Sequence, residues 1–164
     1  MINLKSLIII IIMRKCLFLF VISLSSINSF AQDDAKTAVK KTVERFFEGF
    51  HAQDSLVMKE VVYNQVVLQT TAQNKDGQTV FKTDEISALY KNIVAIPKTV
   101  NFNEKLISWD INVDRTMANA WVGYEFWLNG SLSHCGVNAF QLINFNGHWK
   151  IVYLIDTRGK EGCE

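Results

Sequence analysis

Proline is nearly absent from this chain: Pro97 is the only one among 164 residues, and glycine occurs eight times. So few breakers exclude a proline- or glycine-rich linker and leave room for long, uninterrupted elements. Three cysteines and three histidines are scattered without the spacing of a metal site, so no metal is expected. Neither sign of charge dominates, with 17 basic and 16 acidic residues. That balance offers no basic footprint for nucleic acid. There is no Gly-x-Ser-x-Gly, no glycine-rich phosphate loop and no nucleophile beside a base, and no cofactor is implied. The sequence does not name a reaction.

Apolar runs are concentrated at the N-terminus, where Leu7 to Ile12 and Leu17 to Ile22 flank Arg14-Lys15. Met13-Arg14-Lys15, the second apolar block and Ser29-Phe30-Ala31 have the order of a secretory signal with a small-x-small cleavage site. Residues 1–31 are therefore expected to be a signal peptide cut after Ala31, with Met1 or Met13 as the start. A retained membrane anchor is the alternative, although neither block alone is long enough to span. Loss of Lys5, Arg14 and Lys15 would leave 14 basic against 16 acidic residues. The expected product is a single domain, residues 32–164, periplasmic or secreted and free of the membrane. Cys135 and Cys163 survive cleavage, and in an oxidising compartment an even pair could bridge the tail to the sheet. Spacing alone does not show that they meet.

Val39, Val43, Phe46, Phe47 and Phe50 recur at helical spacing within Asp33 to Gln53, which predicts an amphipathic helix. Asp54 is placed to cap a second, Ser55 to about Val62. Val66 to Ala72 and Thr79 to Lys82 read as strands joined at Asp76-Gly77. A third helix starts near Thr83-Asp84 and stops at Pro97. Val100 to Val113 is a long strand whose alternation slips near Glu104-Lys105.

Met117 to Arg158 predicts three antiparallel strands, because Asn129-Gly130 and Asn146-Gly147 each divide aromatic and β-branched runs. Two-residue turns place Leu128 opposite Ser131 and Phe145 opposite His148. Counting by twos gives one face of Ala118, Ala120, Val122, Tyr124 and Phe126, then Cys135, Val137, Ala139 and Gln141, then Val152, Leu154, Asp156 and Arg158. Trp121, Glu125, His134, Asn138, Phe140, Trp149, Ile151 and Tyr153 fall on the other. The whole order predicts an α+β, cone-shaped roll: a curved, mostly antiparallel sheet wrapped around three helices from the N-terminal half.

Phe46-Phe47-Glu48-Gly49-Phe50 running into Asp54, Trp121-Val122-Gly123-Tyr124-Glu125-Phe126, and Gly147-His148-Trp149-Lys150-Ile151 carry a resemblance to a known family. Over residues 33–158 the chain resembles the nuclear transport factor 2-like superfamily, particularly its secreted SnoaL-like and lumazine-binding-type members. That resemblance implies a pocket on the concave side of the sheet, and a fold that serves isomerases, dehydratases, cyclases and plain binding modules alike. Ketosteroid isomerase-type members use a tyrosine on the first helix and two strand aspartates. Phe46, Thr70 and Ala139 align with those places, so that reaction is not expected.

With the first face turned inward, the expected ligand-binding residues are Tyr124, Arg158, Cys135, Gln141 and Phe126. Tyr124, Cys135 and Arg158 share one cross-strand row, with Val122, Val137 and Asp156 in the next. Asp156 is the candidate catalytic acid or base, if its walls raise its pKa, while Arg158 and Tyr124 could hold an anionic or enolate oxygen. Against this, Asp156 and Arg158 lie two apart on one strand and could simply pair at the rim. Glu125 opposite His134 is a second pair, expected on the outer face as a surface or interface ion pair. His51 is expected in water at a helix end. Trp121, Phe140 and Tyr153 make an outer aromatic patch that predicts a sheet-to-sheet homodimer. The leading expectation is an exported module that binds a small molecule. A cofactor-free isomerase, cyclase or dehydratase using Asp156 is the alternative, and a structural dimer with a filled cavity the third.

Overall fold

The structure, a computed structural model, describes residues 13–14 and 32–163. The expected signal segment falls, apart from Met13 and Arg14, outside the described residues. Among those residues no helix is long and apolar enough to cross a membrane. Lys36–Glu164 forms one compact unit.

Helix α1 covers residues 32–52. Its stripe is core as the periodicity requires, with Val39, Val43, Phe46 and Phe47 all buried. The chain leaves α1 through Gln53 in a left-handed conformation (φ 57°), the Asp54 amide donating to the Gly49 carbonyl at 2.8 Å. Asp54 then caps α2 (Ser55–Val61), its carboxylate accepting from the Leu56 and Val57 amides. Strand β1 (Val62–Gln73) follows without a loop and pairs with β2 (Thr79–Asp84). Helix α3 (Ile86–Ala95) starts later than expected. Thr83 stays in the ladder opposite Gln69, which bonds its hydroxyl at 3.2 Å, so pairing outcompetes a helical start there.

Four long strands complete the sheet: β3 (Phe102–Asp114), β4 (Met117–Leu128), β5 (Ser131–Phe145) and β6 (His148–Arg158). The order is β2-β1-β6-β5-β4-β3, antiparallel except for β1 beside β6. The result is the three-helix, six-strand α+β architecture expected. Both Asn-Gly turns are two-residue loops with both residues at positive φ, and Leu128–Ser131 and Phe145–His148 pair as expected.

The faces farther along differ, because each ladder contains a bulge. Trp127 pairs with Leu132 but Phe126 with His134, leaving Ser133 extra on β5. Gln141 pairs with Tyr153 but Leu142 with Ile151, leaving Val152 extra on β6. A bulge advances one strand by one residue and so exchanges its two faces. Asn138, Phe140 and Leu142 therefore point inward with Ala118, Ala120, Val122 and Tyr124 of β4. Trp149 and Ile151 are buried ahead of the second bulge, and Leu154 and Asp156 face the same interior beyond it. A third bulge, on β3 at Ile107, lies two residues past the place where the alternation slips.

Phe140 is thus not a surface residue. It is fully buried, packed edge-on against Phe46 and Phe47 of α1 at centroid distances of 6.2 and 6.1 Å. Trp121, on the outer face, is 55% exposed.

Candidate functional site

Between the helices and the inner face lies a cavity of about 520 Å³. Its walls are apolar over most of their extent: Phe46, Phe47 and Phe50 of α1, Leu89 and Ile93 of α3, and Leu68 of β1. At one end the polar groups Glu104, Tyr124, His134, Asn138, Asp156 and Arg158 converge from β3, β4, β5 and β6.

Asp156 is nearly buried and held from three sides. Arg158 Nε donates to Oδ2 at 2.7 Å, Thr70 Oγ1 donates to Oδ1 at 2.5 Å, and the Tyr124 hydroxyl lies 3.4 Å from Oδ2. The Tyr124 hydroxyl has its shorter bond, 2.8 Å, to the Thr157 carbonyl. That contact depends on Gly136, the residue opposite Tyr124, because a Cβ there would stand 2.0 Å from the Thr157 carbonyl oxygen. Burial, and then the charges of Asp156 and Glu104, push the Tyr124 phenol well above its ordinary range, so it stays protonated as a donor. At Arg158 burial works to lower the pKa, but the bond to Asp156 and the charges of Asp156, Tyr124 and Glu104 together outweigh it, and the pKa is raised.

Glu104 is one of the polar residues the sequence reasoning missed, with His134 and Asn138. It sits opposite Phe126, with Phe102 two residues before it on the same face. Asn138 Nδ2, reaching over β4, donates to Oε1 at 2.7 Å. Burial lifts the Glu104 carboxyl from 4.5 to about 7; the Asn138 bond opposes this, and the nearby Asp156 charge adds to it. The signal was present in the sequence: a glutamate between Phe102 and Leu106 at period two belongs to their inward face. His51 is not in water. It is half-buried, and its Nε2 accepts the Glu104 amide at 2.9 Å, joining the end of α1 to β3. Burial lowers its pKa.

The expected ligand residues divide. Tyr124, Phe126, Asp156 and Arg158 line the cavity; Cys135 and Gln141 do not. The bulge at Ser133 turns both to the outer side, and Tyr124 faces Gly136 in place of Cys135. Cys135 is joined to Cys163, with Cα atoms 5.6 Å apart, and its backbone exchanges hydrogen bonds with Gly159. The bridge left open by the spacing is therefore formed, and it ties the tail just beyond Arg158. The same bulge separates Glu125 from His134. Glu125 stays outside and accepts from the Trp127 indole at 2.8 Å. His134 enters the cavity and stacks on Phe126, which stacks on Phe102, at 4.9 and 6.0 Å. Burial, then the Arg158 charge, lowers its pKa and keeps the imidazole neutral. Asn138, not Val137, faces Asp156. Among the described residues no group of three His, Cys, Asp or Glu side chains is arranged to hold a metal.

No family model matches the chain, and no curated protein does. Solved structures do. An NTF2-like protein of unknown function from Shewanella baltica is 16% identical, with a TM-score of 0.57 over 78% of this chain and 96% of its own. A protein of unknown function with a cystatin-like fold from Nostoc punctiforme is 12% identical, with a TM-score of 0.59 over 77% and 92%. An NTF2-like protein of unknown function from Pseudomonas putida is 12% identical, with a TM-score of 0.60 over 76% and 87%.

Proposed function

From a nuclear transport factor 2-like fold that holds an apolar cavity with a charged end, we propose that this protein is an exported small-molecule-binding protein. The carrying observation is the cavity itself: about 520 Å³ of mainly aromatic and aliphatic wall with a few convergent polar groups, the usual composition of a small-ligand site. Asp156 is committed to Arg158 and Thr70, so it serves as a fixed acceptor and a brace for Arg158 before it serves as a base. Export is supported by the signal-like order of Met13 to Ala31 and by a disulfide of the kind that persists in oxidising compartments.

Native mass spectrometry of protein purified from its own host tests the reading. The expected spectrum carries a non-covalent adduct that is lost when Ile93 on the cavity wall is enlarged to Trp. An adduct-free spectrum, with no small molecule bound in a subsequent screen, refutes it. Sequencing of the mature N-terminus is expected to begin at Gln32.

A cofactor-free isomerase, cyclase or dehydratase is the second reading, and one observation favours it. The Glu104 carboxyl, poised near neutrality beside the cavity, suits proton transfer better than the clamped Asp156. Deuterium exchange into the co-purified molecule in heavy water, lost in Glu104→Gln, would select the enzyme. The reading also includes a homodimer packed through Trp121 and Tyr153 on the outer sheet face. A monomer in sedimentation at micromolar concentration would remove it.

A further inference from the structure

The charges that line the cavity do not cancel. Lys82 pairs with Asp84 at 2.6 Å, and Arg158 pairs with Asp156 at 2.7 Å. That leaves Glu104, whose carboxylate is bonded among the described side chains by neutral Asn138 alone. A lone carboxylate in an apolar wall is costly unless a cation joins it or it keeps its proton. The walls beside Glu104 are aromatic: Phe102 precedes it on the same face, and Phe126 lies directly across the ladder with its ring stacked between Phe102 and His134.

We propose that the cavity takes a small hydrophobic amine, with its ammonium group on the Glu104 carboxylate and its apolar body toward Phe47, Leu89 and Ile93. The inference rests on the reading of the cavity as a ligand site, and it names the ligand's charge. An anionic ligand would meet a second, unneutralised carboxylate beside a guanidinium whose charge is already paired through Nε with Asp156. The groups facing Glu104 from the surrounding elements are His51 of α1, Tyr124 of β4, His134 of β5, and Asp156 and Arg158 of β6. Neither histidine supplies a cation at neutral pH, because both pKa values are lowered.

The test is calorimetric titration of the disulfide-intact protein with three indoles that differ in charge: tryptamine, its alcohol analogue tryptophol, and indole-3-acetate. Tryptamine is expected to bind about tenfold or more tighter than tryptophol near pH 8, with the acetate weakest. Its affinity is expected to rise about tenfold or more from about pH 5.5 to about pH 8, as Glu104 loses its proton. In Glu104→Gln, tryptamine should fall to the level of tryptophol and lose that pH dependence. Tryptophol or indole-3-acetate binding as tightly as tryptamine overturns the inference while leaving the ligand-binding reading in place. Failure of all three at millimolar concentration overturns the inference as well, and the ligand-binding reading is then decided by the mass-spectrometric test. The comparison of probes and of pH in the unmodified protein decides the matter even if Glu104→Gln does not fold.

Discussion

Replacing Glu104 by glutamine should make the protein more resistant to denaturant in mild alkali and change little in mild acid. The buried carboxyl is lifted from 4.5 to about 7, so the folded chain holds a proton there that the unfolded chain gives up. A group of this sort adds stability below about pH 4.5, and the contribution drains away as pH rises toward 7. At about 1.4 kcal/mol per tenfold change in proton affinity, the displacement amounts to about 3 kcal/mol. Glutamine keeps the shape and the Asn138 contact but has no proton to lose. Urea midpoints of the two proteins, measured from about pH 5 to about pH 8 with the disulfide intact, should diverge by about 3 kcal/mol in favour of Glu104→Gln. Because both carry His51 and His134, the titration of those rings cancels in the comparison. Parallel profiles would refute the reasoning, since they would mean that Glu104 is hydrated and already ionised at neutral pH.

Three further outcomes follow from the packing. Phe140→Ala should cost about 3–5 kcal/mol in urea unfolding, because the ring is fully buried against Phe46 and Phe47; a cost below about 1 kcal/mol would return the residue to the outer face. Gly136→Ala should destabilise by about 1–3 kcal/mol and lower the thermal midpoint, since its Cβ would meet the Thr157 carbonyl at 2.0 Å; an unchanged midpoint would refute that contact. Cys163→Ser should cost about 3–4 kcal/mol by opening a loop with a sequence separation of 28, and an equal loss should appear when the unmodified protein is unfolded with reductant present.

Local signals were legible where one residue type decides the backbone. Asn129-Gly130 and Asn146-Gly147 accept the positive φ values of a tight turn, and Asp54 supplies the acceptor that starts α2. Those features and the apolar stripe of α1 were enough for element order and α+β class. Parity was another matter. Ser133 and Val152 look like ordinary strand residues, and a bulge depends on how two strands fit each other, which neither strand's composition reveals. One unseen insertion on β5 reversed that whole strand, exchanging Cys135 and Gln141 for His134 and Asn138. The second, on β6, left Leu154, Asp156 and Arg158 where counting by twos placed them. Tyr124 and Asp156 were thus legible as neighbours of a hollow. At Glu104 the slip in the alternation obscures the inward face that the residue shares with Phe102.

The bond from the Glu104 amide to His51 gives one residue two opposite responses to acid. Below about pH 6.5 the imidazole is drawn to take up a proton at the very nitrogen that accepts the amide, which works against the fold, while the carboxyl a few bonds away is strengthened by the same protons. In the intact protein the two trends offset each other, and a flat acid profile would conceal a pair of active titrations. Only substitution of one partner at a time makes either visible.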